Sequence, residues 1–174
     1  GGSCVFHGPN VLCITSITCT EKHRFGIRDV YTRFCELLMD ALSDVYGVKA
    51  TIGSCPEAPC DGDFNLLVGK RKLAGTAMRR RSIHGKDTFF VHGVIWLSGQ
   101  LDEPLSVIET FDRSMGLDVR YPPEACVALD ELITHKDGSQ TLAPFREYLC
   151  EHHANYMLSS RVIPPSGTTD SPVI

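Results

Sequence analysis

The chain has 174 residues, 43% of them apolar and 22% charged, and a net charge of −4. This is about one domain's worth of ordinary globular composition, with enough chain to bury a core. Global charge offers nothing to attract nucleic acid, and no apolar run approaches the roughly 18 residues of a membrane span.

Residues Ser3–His7 read as a short strand, followed by a Gly8-Pro9-Asn10 turn. Val11–Thr20 alternates and is β-branched, which predicts a strand. Val30, Phe34, Leu37, Leu38, Ala41, Leu42 and Val45 fall at helical spacing and predict a helix over Asp29–Tyr46, with Gly47 as its C-cap. Lys49–Ile52 reads as a short strand and Gly53–Gly62 as a loop with two cysteines and two prolines. Asp63–Val68 and Lys72–Arg79 pair as a hairpin about Gly69-Lys70-Arg71. Ser82–Lys86 is a second loop, and Thr88–Leu97 a long apolar strand. Gln100–Asp112 is expected to be helical, broken early by Pro104; Pro123–Ile133 and Leu142–His153 read as two further helices. The proline-containing tail after Met157 reads as loosely held. Strands dominate the first half and helices the second, so the expected fold is α+β: a mixed, largely antiparallel sheet covered by helices.

The eight cysteines lie mostly in apolar stretches, as buried cysteines of a reducing compartment do. The opening Gly1-Gly2-Ser3 lacks the charged and apolar regions of a secretory signal, so a cytoplasmic protein is expected.

Cys60-Asp-Gly-Asp-Phe-Asn-Leu and Lys70-Arg-Lys-Leu-Ala-Gly-Thr-Ala carry the chemistry. Cys60 and Lys72 lie on opposite arms of the predicted hairpin, which can bring a thiol and an ammonium to one site. A nearby cation favours the thiolate, which is the nucleophile of acyl transfer. The alternative for Cys60 is a structural loop cysteine, or a disulfide with Cys55. Lys72 is followed by Ala74, Gly75, Thr76 and Ala77, small residues that let a ligand approach the backbone. His7 reads equally as a proton shuttle or a satisfied core histidine; His92 lies in an apolar strand and reads first as a core residue. Cys55, Cys60, His84 and His92 do not match the ligand spacing of structural zinc, and no metal is expected. No phosphate-loop or dinucleotide glycine pattern is present.

These motifs resemble those of the lipoate–protein ligase, octanoyltransferase and biotin ligase superfamily. Gly1-Gly2-Ser3-Cys4-Val5-Phe6-His7 is similar to the end of its Gly-Gly motif, Gly69–Ala77 to its lysine motif, and Phe90–Leu97 to the strand behind its site. The Cys60 loop resembles the cysteine motif of octanoyl amidotransferases. The resemblance implies a catalytic-type domain over residues 1–156 that starts at the Gly-Gly pair, without the family's preceding strand and helix, and a flexible tail over 157–174. It implies Cys60 as the thioester-forming nucleophile and Lys72 as the group stabilising the oxyanion. It places Gly1, Gly2, His7, Gly75, Thr76, Ala77, His92 and Gly93 at the substrate; position along the strands, rather than the resemblance, sets Leu12, Val91 and Gly93 beside the acyl chain. The implied reaction moves an octanoyl or lipoyl group to a lysine of a lipoyl domain, from a carrier protein or a lipoyl domain, with no cofactor. The rivals are an ATP- and magnesium-dependent lipoate ligase, which needs no cysteine, and a non-catalytic acyl-binding homologue. The basic cluster of Arg79, Arg80 and Arg81 reads either as a solvated face or as a steering surface for an acidic lipoyl domain. No nucleic acid and no membrane are expected as partners.

Overall fold

Five strands form one sheet in the order β1-β5-β4-β3-β2 in this computed structural model, which describes residues 4–133 and 142–159. They are β1 (Val11–Glu21), β2 (Thr51–Gly53), β3 (Asn65–Val68), β4 (Arg71–Ile83) and β5 (Lys86–Trp96). Each neighbouring pair is antiparallel. The α+β expectation is met. The mixed character anticipated for the sheet reduces, among the described residues, to an isolated parallel bridge between Lys72 and Cys126.

One face of the sheet carries the main core. Helix α1 (Ile27–Tyr46) lays Phe34, Leu38, Ala41 and Leu42 against Phe89, Val91 and Ile95 of β5, and α4 (Ala143–Leu158) adds Phe145 and Met157. The helix begins two residues before the expected start, because Asp29 reaches back to accept the Gly26 N–H at 2.8 Å. It ends where Gly47 turns left-handed, φ 69°, with the N–H groups of Gly47 and Val48 returning to Ser43 and Leu42. Gly93 allows this packing. A Cβ there would lie 3.0 Å from the Phe34 ring.

The opposite, outer face is covered only at one end among the described residues. There α2 (Asp102–Ser114) and the segment from 119 to 128 bury Leu101, Leu105, Ile108, Tyr121 and Cys126 against Trp96. Pro104 does not break α2. It sits in the first turn, where backbone N–H groups have no intrahelical acceptor. The single helix expected over Pro123–Ile133 is instead a 3-10 turn at Pro123–Ala125 and the short α3 (Leu129–Leu132). Between them Cys126 is extended, because the Val127 N–H donates to the Lys72 carbonyl at 2.9 Å and Arg71 Nε to the Cys126 carbonyl at 2.9 Å. Tertiary hydrogen bonds to β4 override the helical pattern there.

Other boundaries moved too. Residues 4–8 form no strand; Phe6 stacks on Trp96 instead, with ring centroids 6.2 Å apart. The anticipated loop at Ser82–Lys86 is a tight turn at His84-Gly85, both at positive φ, between strands that continue on either side. Helix α4 runs through residue 157, past the expected start of the tail; residues 160–174 lie outside the described residues.

Candidate active site

The hairpin of β3 and β4 turns at Gly69-Lys70, with Gly69 at φ 63°. Its register slips between Leu66 and Leu67. Leu66 faces Ala74, whereas Leu67 faces Lys72, leaving Leu73 as an extra residue. Strict alternation would put Lys72 on the same face as Ala74, in the core. The bulge turns Lys72 to the outer face, where it shares a cavity with Gly75 and Ala77. That cavity encloses about 90 Å³. Its walls are the loop residues Pro59 and Cys60, the strand residues Lys72, Gly75, Thr76 and Ala77, His92, Val94 and Trp96 of β5, and Ile108 and Cys126 from the covering layer, with Cys4 and Val5 at its edge.

Lys72 is only 5% exposed. Its ammonium donates to the carbonyls of Pro59 at 2.6 Å and Cys60 at 3.1 Å, so it clamps the loop that presents the thiol. Burial lowers its pKa, while Cys60, Cys126, Asp61 and Cys55 pull it in the opposite sense. Gly75 leaves room for this arrangement. A Cβ there would meet Lys72 Cε and Nζ at 3.3 Å. Cys60 itself adopts φ 53°, a left-handed conformation that costs an L-residue about 1–2 kcal/mol. Such strain is held by its surroundings, here the Lys72 clamp and Asp61.

Asp61 anchors the loop. It accepts from the Cys55 N–H at 2.6 Å, Ser54 Oγ at 2.7 Å and Asn65 Nδ2 at 3.0 Å. Burial works against its charge, but the bonds from Ser54, Cys55 and Gly62 and the nearby Lys72 hold the carboxyl below its usual range. Two other cysteines line the cavity. Burial raises the thiol pKa of Cys126 to about 11 and that of Cys4 as well, which keeps both protonated at neutral pH. All three cysteines are free thiols, as is Cys55, so Cys60 is not bridged to it.

His92 also reaches the cavity, contrary to its reading as a core residue. Its Nδ1 pairs with Thr15 Oγ1 at 2.9 Å, and burial, then His7, lowers its pKa below the ordinary 6.5. Four of the expected substrate residues, Gly75, Thr76, Ala77 and His92, therefore line the cavity with Cys60 and Lys72, but others do not. Gly93 opens toward Phe34 of α1, not toward the cavity. His7 lies outside it, exposed, with Nδ1 3.3 Å from Cys13 Sγ. Val91 is buried in the main core and Leu12 packs beside it. Thr76 turns its hydroxyl away, donating to the Phe64 carbonyl at 2.6 Å. Arg80 pairs with the fully buried Asp87 at 2.7 Å, whereas Arg79 and Arg81 are exposed on the outer face. Gly1 and Gly2 lie outside the described residues. Sequence reasoning missed Asp61, Cys126, Trp96 and Ile108. Asp61 was legible as an acceptor-rich side chain next to a loop cysteine; the other three required tertiary contacts.

Residues 1–154 match the family model of the lipoyl protein ligase A/B catalytic domain. Among curated proteins, the chain is 31% identical over 103 residues to an octanoyl-[GcvH]:protein N-octanoyltransferase of Kyrpidia tusciae, covering 56% of this chain and 35% of that one. It is 30% identical over 82 residues to an octanoyltransferase of Laribacter hongkongensis, covering 45% and 34%. The matched segments span about a third of these relatives. Among solved structures, lipoate-protein ligase A bound with ATP superposes with a TM-score of 0.65 at 15% identity, over 90% of this chain and 56% of that one, and shares the fold.

Proposed function

The chain belongs to the lipoyl protein ligase A/B catalytic domain family, and on that premise we propose that it transfers an octanoyl or lipoyl group through a thioester on Cys60 to a lysine of a lipoyl domain. The observation that carries this reading is the cavity itself. It joins the Cys60 loop to a buried lysine that clamps that loop, beside a glycine whose missing side chain makes room for the ammonium.

In the first step the Cys60 thiolate attacks the carbonyl of an acyl thioester, forming a new C–S bond. The donor's thiolate leaves and takes a proton. In this reading Lys72 supplies the positive charge that opposes the negative charge developing on the carbonyl oxygen. In the second step the neutral amine of the acceptor lysine attacks the Cys60 thioester. The C–S bond breaks, Cys60 departs as thiolate, and the amine's proton is lost to solvent or to the departing sulfur. Gly75 and Ala77 let the carbonyl end lie close to β4. The observed volume, about 90 Å³, is space for around three water molecules. It takes the carbonyl and the first carbons, and a medium-length chain displaces side chains such as Ile108 and Trp96. The donor is a carrier protein or an acylated lipoyl domain, and the reaction needs no nucleotide.

Intact mass after incubation with octanoylated carrier protein or lipoyl domain, without ATP, tests this. The expected result is a hydroxylamine-sensitive gain of one octanoyl group that is absent in Cys60→Ala. A reaction that proceeds only with ATP and magnesium, and that survives Cys60→Ser, replaces the transferase with a ligase. Acyl binding without turnover under either condition leaves a binding protein.

A further inference from the structure

Beyond the cavity, the outer face continues as bare sheet among the described residues. The register lays it out in rows. Thr15 and Ala77 both pair with His92 across β1, β5 and β4, and His92 and Ala77 line the cavity. The next row on the same face is Ile17, Phe90 and Arg79, and the one after it Cys19, Thr88 and Arg81. Rows of one face are about 7 Å apart along a strand. Ile17 and Phe90 are 59% and 41% exposed, although they lie in the middle of their strands. Arg79 and Arg81 are exposed and have no ion-pair partner among the described residues, whereas Arg80 is turned to the other face and bound to Asp87. An apolar pair flanked by unpaired arginines has the make-up of a protein-binding surface, with an apolar centre and a charged rim.

We propose that this platform of Ile17, Phe90, Arg79 and Arg81 is the docking surface for the acceptor protein, an acidic domain that carries carboxylates and an apolar side chain beside its acceptor lysine. The proposal rests on the transferase reading above. A macromolecule that delivers a lysine amine to Cys60 must lie on the face where the cavity opens, and among the described residues this is the uncovered part of that face. Charge selects the occupant. In a symmetric dimer through this face each copy meets the same patch of its partner, and the rows that carry Arg79 and Arg81 offer no carboxylate to pair them. An acidic acceptor pairs them instead.

The experiment compares two acceptors of the octanoyl group on preloaded Cys60, a lipoyl domain and the small amine Nα-acetyl-lysine amide. In Ile17→Asp and in Arg79→Glu/Arg81→Glu, the second-order rate constant for the lipoyl domain is expected to fall at least tenfold relative to that for the small amine. The wild-type rate with the lipoyl domain should drop with added salt, and the small-amine rate much less. A lipoyl domain with its acidic residues near the lysine changed to lysine should regain rate with the Arg79→Glu/Arg81→Glu protein. An unchanged ratio in both variants overturns the platform. So does a wild-type dimer that Ile17→Asp dissociates, since the face then belongs to a second copy. A wild-type protein that never forms the Cys60 thioester fails the transferase reading, and that failure is seen before any acceptor is added.

Discussion

Cys60 sits in a backbone conformation that its side chain disfavours, φ 53°, and its carbonyl is tied to a lysine that burial would prefer neutral. Both features cost stability, and both serve to aim one thiol into a small cavity. A glycine relieves the first cost because it has no Cβ. Cys60→Gly is therefore expected to be more stable to denaturant than Cys60→Ala by about 1 kcal/mol, with neither variant forming the acyl adduct. Equal stability of the two would mean that the loop relaxes out of the left-handed region when the thiol is removed. Cys4 and Cys126 share the cavity, yet burial keeps their thiols protonated. Cys126 also lies beside Lys72, so what sets Cys60 apart is its place on the loop that Lys72 clamps, not the residue type.

At the scale of elements, the sheet and α1 meet through one missing side chain. Gly93 faces the Phe34 ring, and a methyl group added there lies 3.0 Å from Phe34 Cε1 and 3.4 Å from Leu38 Cδ1, so buried side chains of α1 would have to shift. Gly93→Ala is expected to destabilise the fold by about 1–3 kcal/mol through overpacking. Phe34→Leu, which makes room, should recover part of that loss in the double variant, as a double-mutant cycle in denaturant would reveal. A loss of acyl transfer in Gly93→Ala without a loss of stability would instead restore Gly93 to the substrate site. The β3–β4 hairpin was legible from Gly69 and the flanking apolar runs. Its bulge was not, because one extra residue leaves no mark on the hydrophobic pattern when Leu73 and Ala74 are both apolar and both buried.

Across the whole molecule, charge is divided between two ends of the sheet. At the end away from the cavity, the buried Asp87 receives bonds from Ser82, Arg80 Nη2 at 2.7 Å and the His23 N–H at 2.8 Å, so that β4, β5 and the turn after β1 are pinned together. Those bonds, Ser82 first, hold its carboxyl well below the ordinary carboxylate range. A depressed folded-state pKa contributes stability above the unfolded value, about 3.9, that is lost as pH falls below it toward the folded one. Unfolding followed from pH 6 to pH 2 should therefore show a steep loss below about pH 4 that is shallower in Asp87→Asn. An equal slope in the two would assign the acid sensitivity to other carboxylates. The arginine run splits along the same lines. Arg79, Arg80 and Arg81 are contiguous in the chain, but strand alternation sends Arg80 to Asp87 and its neighbours to the open face. The sequence by itself determined the long helix, the hairpin and the pairing of a loop cysteine with a strand lysine, because periodicity and turn chemistry act over short spans. Only the tertiary structure decided on which face Lys72 emerges, that Gly93 serves the core, and that Cys126 closes the cavity. Those outcomes depend on a bulge and on hydrogen bonds between segments more than fifty residues apart, whose energies no local pattern records.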